Sequence, residues 1–306
     1  MILAGGSGFI GTMLARELIA RGYEVIVLGR GSRLQDNRVP RHASPATLSW
    51  DGRTVGEWVG CLVGAKAVVN LAGRSVNCRH TARNRREIVA SRVNSVRVLG
   101  EAVKNCAQPP AVWVQAGGEG IYGDYGEGCC DESTPPSDGF LVDICKEWES
   151  AFDEAVTPRT RHVLLRIGFV LGTEGGALKT MAQLTKWGLG GRAGDGCQFI
   201  NWIHGTDLCR IFVAAIEEQG MEGVFNASGP KLISNEDFMR ELRHVLHRPW
   251  SPPAPAWAVR FGAWLMGSDG RLALTGRCCV PKRLLDCGFK FEFSELRAAL
   301  ESFYRG

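Results

Sequence analysis

Short apolar runs alternate with helix-period segments through the first two thirds of the chain. Residues 1–4, 25–28, 67–71, 111–116, 162–167 and 223–227 are of strand length and mostly apolar. Between the first two, Ile10, Leu14 and Leu18 recur at i, i+4 and i+8, as on one buried helix face, and Gly22 ends that helix. Strands that are apolar along their whole length, rather than at alternate positions, suit a parallel sheet covered by helices on both sides. The pattern therefore predicts an α/β fold, a Rossmann-like doubly wound parallel sheet. Prolines at 249, 252, 253 and 255 break the alternation, and beyond them 257–266 and 294–304 have helical periodicity. We expect a nucleotide-binding domain over 1–230, with 172–204 contributing to a substrate lobe, and a smaller α/β C-terminal lobe over 231–306. The chain has no internal repeat.

Composition narrows the function classes. With 45% hydrophobic and 22% charged residues in 306, the chain is neither disordered nor fibrous. Its apolar runs fall far short of the ~18 residues that span a bilayer, so no membrane partner is expected. Lys and Arg exceed Asp and Glu by only four, too small a bias to imply nucleic acid. The arginines gathered between Arg74 and Arg97 are read as a solvated helix face rather than a polyanion site. Eleven cysteines are an odd number, none are spaced C-x-x-C, and Cys129-Cys130 and Cys278-Cys279 are adjacent pairs that cannot readily bridge internally. Neither a disulfide framework nor a zinc site is expected. His244 and His247 have no third ligand beside them, so no metal is expected. Met1 leads directly into an apolar strand and a glycine loop, which reads as a cytoplasmic, reduced protein without a leader.

The segment Gly5-Gly6-Ser7-Gly8-Phe9-Ile10-Gly11 follows the first strand and opens the first helix. Gly5 permits the tight turn, Gly8 lets a pyrophosphate approach the backbone, and Gly11 lets helix and strand pack closely. The helix N-terminus adds unpaired N–H donors and a positive dipole end. An NAD site usually carries an acidic residue at the end of the second strand to accept from the ribose 2′-OH. Here that place holds Leu28-Gly29-Arg30-Gly31-Ser32-Arg33. A cation there suits the 2′-phosphate of NADP instead, with Arg30 the main candidate and Ser32 and Arg33 as helpers. Asn70-Leu71-Ala72-Gly73 ends a later strand, where a cofactor ribose would rest, and Asn94 is read as either structural or ligand-facing.

The G-x-x-G-x-x-G spacing resembles that of the short-chain dehydrogenase/reductases. Over nearly its whole length the chain resembles the atypical extended members described only as epimerase family proteins, within the NAD-dependent epimerase/dehydratase superfamily. The segments that carry this are 5–11, Trp50-Asp51, 70–73, Ser91-Arg92-Val93, Phe140-Leu141 with Cys145 and Trp148-Glu149, 166–171, Gly175-Gly176-Ala177, Trp202-Ile203-His204 with Asp207, and Val280-Pro281-Lys282-Arg283-Leu284-Leu285. The resemblance implies a Rossmann domain that binds NADP(H) and a C-terminal lobe, of a type with no assigned function, closing over a substrate pocket. It also implies that Arg166 lies in the stretch passing the nicotinamide. By analogy with related folds, a monomer or homodimer is expected.

Working short-chain enzymes use Tyr-x-x-x-Lys, in which one helical turn aims both side chains at the cofactor. Four residues after Tyr23, Tyr122 and Tyr125 stand Val27, Gly126 and Cys129, and Tyr304 lies too near the end. The pair is absent. Alignment on Trp148-Glu149 puts Leu141 and Cys145 at the two positions, and Gly117-Gly118 replaces the usual serine. Glu119, Tyr122, Asp143, Cys145, Lys146 and His204 are the titratable groups expected near the cleft; of these Tyr122, Glu119, Cys145 and Lys146 are the candidate catalysts. Tyr122, Trp202, His204 and Lys282 are expected to line the substrate pocket. Each has a bland alternative: pocket wall for Tyr122, inert packing for Cys145, a structural hydrogen bond for His204 and a helix cap for Lys282. Two functional readings stand. One is an NADP(H)-dependent oxidoreductase or nucleotide-sugar-type epimerase with a replaced proton donor; the other is a catalytically silent NADP(H)-binding redox sensor or scaffold.

Overall fold

The computed structural model describes residues 1–31, 44–124 and 128–304. Ser32, Arg33 and Tyr125 lie outside the described residues. In chain order the strands are β1 (Ile2–Ala4), β2 (Ile26–Gly29), β3 (Ala46–Ser49), β4 (Ala67–Asn70), β5 (Val112–Gly118), β6 (Cys129–Cys130), β7 (Arg161–Ile167), β8 (Phe169–Leu171), β9 (Trp202–His204), β10 (Gly223–Ala227) and β11 (Cys278–Cys279). The α-helices are α1 (Phe9–Ala20), α2 (Ala82–Lys104), α3 (Phe140–Glu154), α4 (Gly176–Lys186), α5 (Gly205–Glu217), α6 (Asn235–Val245), α7 (Ala256–Leu265), α8 (Arg271–Leu274), α9 (Lys282–Asp286) and α10 (Leu296–Tyr304).

Seven strands form one parallel sheet in the order β10-β7-β5-β4-β1-β2-β3. Chain order reverses between β1 and β4, which opens a crevice at the carboxyl ends of those strands. Both faces are covered, as the unbroken apolar runs require. On one face Leu3, Val27, Val69 and Val114 meet Leu14 and Leu18 of α1 and Leu208, Ile211 and Phe212 of α5. On the other, Ile2, Leu28, Val68 and Trp113 meet Val96, Leu99 and Val103 of α2 and Trp148 and Phe152 of α3. Among the described residues, no helix is long and apolar enough to cross a membrane.

A third apolar cluster joins Leu171, Leu178, Ala182 and Trp202 to Phe238, Leu242, Leu296 and Leu300, so segments on either side of β10 share one core. Asp207 anchors it. This fully buried carboxylate, in the first turn of α5, accepts from the backbone N–H groups of Glu292 (2.8 Å) and Phe293 (2.9 Å) and pairs with Arg210. The Trp-Ile-His-x-x-Asp segment is thus a clasp for the chain's C-terminal segment from Glu292 onward.

Two short parallel pairs lie outside the main sheet, β8 with β9 and β6 with β11. The second corrects the expectation about cysteines. Cys129 is disulfide-bonded to Cys278 across 149 residues. Neither adjacent pair bridges internally; the two pairs face each other because β6 and β11 run parallel and in register.

Removing the buried Asp207 carboxylate leaves two partly buried N–H donors and Arg210 without their partner, so Asp207→Ala should lose about 2–4 kcal/mol of stability. Denaturant unfolding measures the loss, and limited proteolysis should show new cleavage beyond residue 290. Unchanged stability together with an intact C-terminal segment would refute the clasp.

Candidate active site

The turn between β1 and α1 has little spare room except where a ligand would enter. Gly5 has φ +74°, and a Cβ on it would stand 2.8 Å from the backbone of Ala72. One on Gly11 would stand 2.5 Å from the backbone of Gly6. Gly8 is different: it is exposed, and nothing would come within 3.6 Å of a Cβ there. Gly8 also caps α1 without any side-chain hydrogen bond, and no acidic residue occupies the first turn. The opening N–H groups of α1 have no intrahelical carbonyl to meet, which leaves them available to an anion. Ser7 is exposed beside Gly29, and Arg30, at the carboxyl end of β2, is also exposed. These residues fit a dinucleotide's phosphates. Phe9 and Ile10 are half-buried, Phe9 against Gly172, Gly175 and Gly176.

The facing turn, Asn70 to Gly73, is fixed from beneath. The fully buried Asn70 side chain donates to Ser95 Oγ (3.2 Å) and Gln115 Oε1 (3.0 Å) and accepts from Ala72 N–H (3.0 Å). Leu71 N–H donates to Ala4 O at 2.8 Å, and Gly73 sits against the Arg92 side chain. Asn94 is half-buried, and the residue that accepts from Asn70 is its neighbour Ser95.

Two of the positions that the resemblance gives to a catalytic triad, Gly118 and Cys145, lie side by side. A Cβ on Gly118 would lie 3.8 Å from Cys145 Sγ, and that sulfur faces Gly118 O at 3.6 Å. Leu141 stands one turn before Cys145 on α3. With glycine, leucine and cysteine there, no proton relay results. Burial pushes the Cys145 thiol up to about 12, so it is uncharged at neutral pH. Lys146 points outward to an ion pair with Asp138 at 3.6 Å.

Tyr122, fully buried, donates to Asn226 Oδ1 (2.7 Å) and accepts from Arg166 (2.8 Å). Burial raises its pKa further above the ordinary phenol range, against the pull of Arg166 and Asn226. Arg166 itself grips Glu149 with two hydrogen bonds, of 2.9 and 2.8 Å. The pair Arg166 and Tyr122 is therefore bound into the protein's own network.

The structure gives His204 a structural post. Its Nδ1 accepts from Thr206 N–H at the start of α5, its Nε2 lies 3.1 Å from Ser302 Oγ, and its ring is stacked between Phe293 and Phe303. Burial lowers its pKa to about 4. No edge remains for a substrate. Trp202 is buried in the third core, and the exposed Lys282 lies 3.7 Å from Asp131.

Glu119 is the exception among the candidate catalysts. It follows β5 in a short 3-10 turn, Glu119–Tyr122, and only 4% of it is exposed. Its Oε2 accepts from Asn201 Nδ2 at 3.0 Å. Among the described residues, its Oε1 has no hydrogen bond of good geometry, and neither has the hydroxyl of its neighbour Ser228. Gly168, which follows β7, provides the space, since a Cβ there would meet Glu119 Oε2 at 3.0 Å and Asn201 O at 2.4 Å. Burial pushes the carboxyl up to about 7, while Ser228, Asn201 and Arg277 draw it down and Glu132 adds to the rise. The carboxyl thus sits beside the carboxyl ends of β5, β7 and β10, the edge at which open α/β sheets bind ligands. Asn201 and Ser228 escaped the sequence reading; the only signal was a lone polar residue ahead of Trp202 and another after the apolar run of β10.

Residues 1–228 match the profile of the NAD dependent epimerase/dehydratase family, and residues 254–303 match a domain of unknown function. The chain is 34% identical to the epimerase family protein SDR39U1 of Bos taurus, over 98% of each. It is 29% identical to the epimerase family protein YfhF of Bacillus subtilis, over 97% of this chain and 95% of that protein. The crystal structure of human epimerase family protein SDR39U1 (isoform 2) with NADPH matches with a TM-score of 0.87 at 32% identity, covering 100% of this chain and 99% of that one. A Thermus thermophilus UDP-glucose 4-epimerase in complex with NAD matches with a TM-score of 0.76 at 20% identity, covering 100% of this chain and 98% of that one, a likeness of fold alone.

A carboxyl that holds its proton more tightly when folded favours the folded state most at low pH. Stability should therefore fall as pH rises from the ordinary carboxyl value of 4.5 to about 7 and level off above that, the fall being of the order of 3 kcal/mol. Chemical denaturation from pH 4 to 9 tests this: Glu119→Gln should flatten that step, and an unaltered profile would contradict the raised proton affinity.

Proposed function

The chain belongs to the NAD dependent epimerase/dehydratase family, and from that premise we propose that it is an NADP(H)-dependent oxidoreductase or nucleotide-sugar-type epimerase in which Glu119 handles the proton. The observation that carries this is the buried Glu119 carboxyl, poised near neutrality at the ligand-binding edge of the sheet. Tyr122 and Cys145 hold their protons too tightly to exchange them at neutral pH.

The bound nicotinamide supplies hydride exchange. Gly8 and the first amides of α1 hold the pyrophosphate, Ser7 adds a hydroxyl, and Arg30 meets the ribose 2′-phosphate. NADPH in the human relative's crystal structure and the absence of a carboxylate from Gly29 to Arg33, at the end of β2, both support the phosphorylated coenzyme. The turn from Asn70 to Gly73, immobilised by its hydrogen bonds, forms the opposite wall. Beneath the C-terminal lobe, Glu119 holds a proton on a carboxyl aligned by Asn201, and Gly168 leaves it the room.

A second reading is favoured by the glycine, leucine and cysteine at positions 118, 141 and 145: the protein binds NADP(H) without turnover and reports redox state.

Calorimetry with NADPH and NADH decides the coenzyme. Wild type should prefer NADPH, and Arg30→Asp should cancel or reverse that preference; a wild-type preference for NADH would overturn the assignment. A panel of carbonyl compounds and sugar nucleotides decides turnover. Glu119→Gln should lower any rate by roughly 10²–10⁴-fold while NADPH binding is retained. NADPH binding with no turnover across the panel would replace the enzyme reading with the sensor.

A further inference from the structure

Four cysteines stand two by two on the β6–β11 ribbon. The parallel register sets Cys129 opposite Cys278 and Cys130 opposite Cys279. Successive side chains of a strand point to opposite faces, so each face carries one facing pair. The first pair is joined as a disulfide. The second is a pair of free thiols packed with Ile121, Tyr122 and Cys145, with Cys279 hydrogen-bonded to Cys130. Three of the four residues are buried and Cys129 is exposed. One sulfur of the bond therefore belongs to an accessible residue, while the neighbouring dithiol is shielded.

The ribbon also joins two distant parts of the chain. Cys129 follows the Tyr122 turn, and Cys278 precedes α9 in the C-terminal lobe. Around the bond the attachment is by hydrogen bonds: Val280 N–H to Cys130 O (2.8 Å), Asn226 Nδ2 to Val280 O (3.1 Å), and Arg283 N–H to Glu132 (3.3 Å). Cys279 N–H donates to Asn201 Oδ1 at 3.3 Å, and Asn201 in turn holds Glu119. A bond at 129–278 is thus separated from the buried carboxyl by one peptide and one side chain.

We propose that Cys129–Cys278 is a thiol–disulfide exchange site that fastens and releases the C-terminal lobe, with a dithiol as reductant and the corresponding disulfide as oxidant. A thiolate of the dithiol attacks the Cys129 sulfur, forming a mixed disulfide as the Cys129–Cys278 bond breaks, and Cys278 leaves as a thiolate that takes a proton. The second thiolate of the reductant attacks its own sulfur in the mixed disulfide and releases Cys129 as a thiol. Two electrons pass to the protein and one disulfide forms in the reagent; the reverse sequence restores the bond. Burial pushes the Cys130 and Cys279 thiols up, so they stay protonated and take no part as nucleophiles. The site operates whether or not a coenzyme turns over.

The full-length protein is equilibrated with graded ratios of reduced and oxidised dithiothreitol, quenched in acid, alkylated and peptide-mapped. Cys129 and Cys278 should gain label together in one two-electron step, while Cys130 and Cys279 react only in denaturant. Reduction should lower the melting temperature by roughly 5–10 °C, since opening a long cross-linked loop frees the unfolded chain, and should raise deuterium uptake over 276–286. Cys129→Ser and Cys278→Ser should each melt at the reduced protein's temperature and ignore dithiothreitol. Glutathione, a monothiol, should leave its adduct on Cys129. The proposal falls if both cysteines alkylate in oxidised reagent, if the bond opens only after unfolding, if reduction changes neither melting nor uptake, or if the adduct maps to Cys278.

Discussion

A polar group sealed under a protein surface must find its partner inside, and the site at the carboxyl edge of this sheet is organised by that requirement. Asn201 meets it in two directions at once. Its amide nitrogen serves Glu119, and its oxygen receives the backbone of Cys279. The sheet's carboxyl edge and the C-terminal lobe are thereby registered through one side chain. Asp207 does the same for the C-terminal segment, where the backbone donors of Glu292 and Phe293 converge on a carboxylate with no exposure to solvent. Where the requirement is left unmet, at Glu119 Oε1 and Ser228 Oγ, the protein retains the means to hold a proton: a neutral carboxyl can donate where a charged one cannot.

The same requirement accounts for the state of Tyr122. The buried Arg166 guanidinium is engaged by Glu149 and by the Tyr122 hydroxyl. Tyr122 is thereby locked into the wall between β5 and β10. A tyrosine held from both sides shapes a pocket well and exchanges protons poorly. The same turn supplies Glu119, a carboxyl whose burial is incompletely compensated.

Much of the sheet was legible because full burial leaves a plain mark: the runs in β1, β2, β4, β5, β7 and β10 are apolar on both faces. The edge strand β3, Ala-Thr-Leu-Ser and half exposed, carries no such mark and escaped the sequence reading. The glycine turn was legible from its spacing and its place between β1 and α1, even though one of its demands, Gly5 against the backbone of Ala72, comes from the turn after β4. His204 shows where local reading ends, since the rings that enclose it arrive about ninety residues later. Glu119 could be named from its place after the paired glycines, but its raised proton affinity comes from burial under segments remote in sequence, with Asn201, Ser228 and Arg277 pulling the other way. The disulfide was invisible for the same reason: tertiary structure, not spacing, brings residues 129 and 278 into register.

Phe9 carries a consequence for how this molecule can change over generations. Its ring fills space left by Gly172, Gly175 and Gly176, where an added methyl would come within 2.6, 2.9 and 3.1 Å. The phosphate-side turn and the loop after β8 are therefore moulded to each other. A lineage that shortens position 9 gains the freedom to enlarge those three glycines, and one that keeps the aromatic ring must keep them bare. Homologues should accordingly inherit position 9 and the 172–176 loop as a matched set, drifting together or not at all.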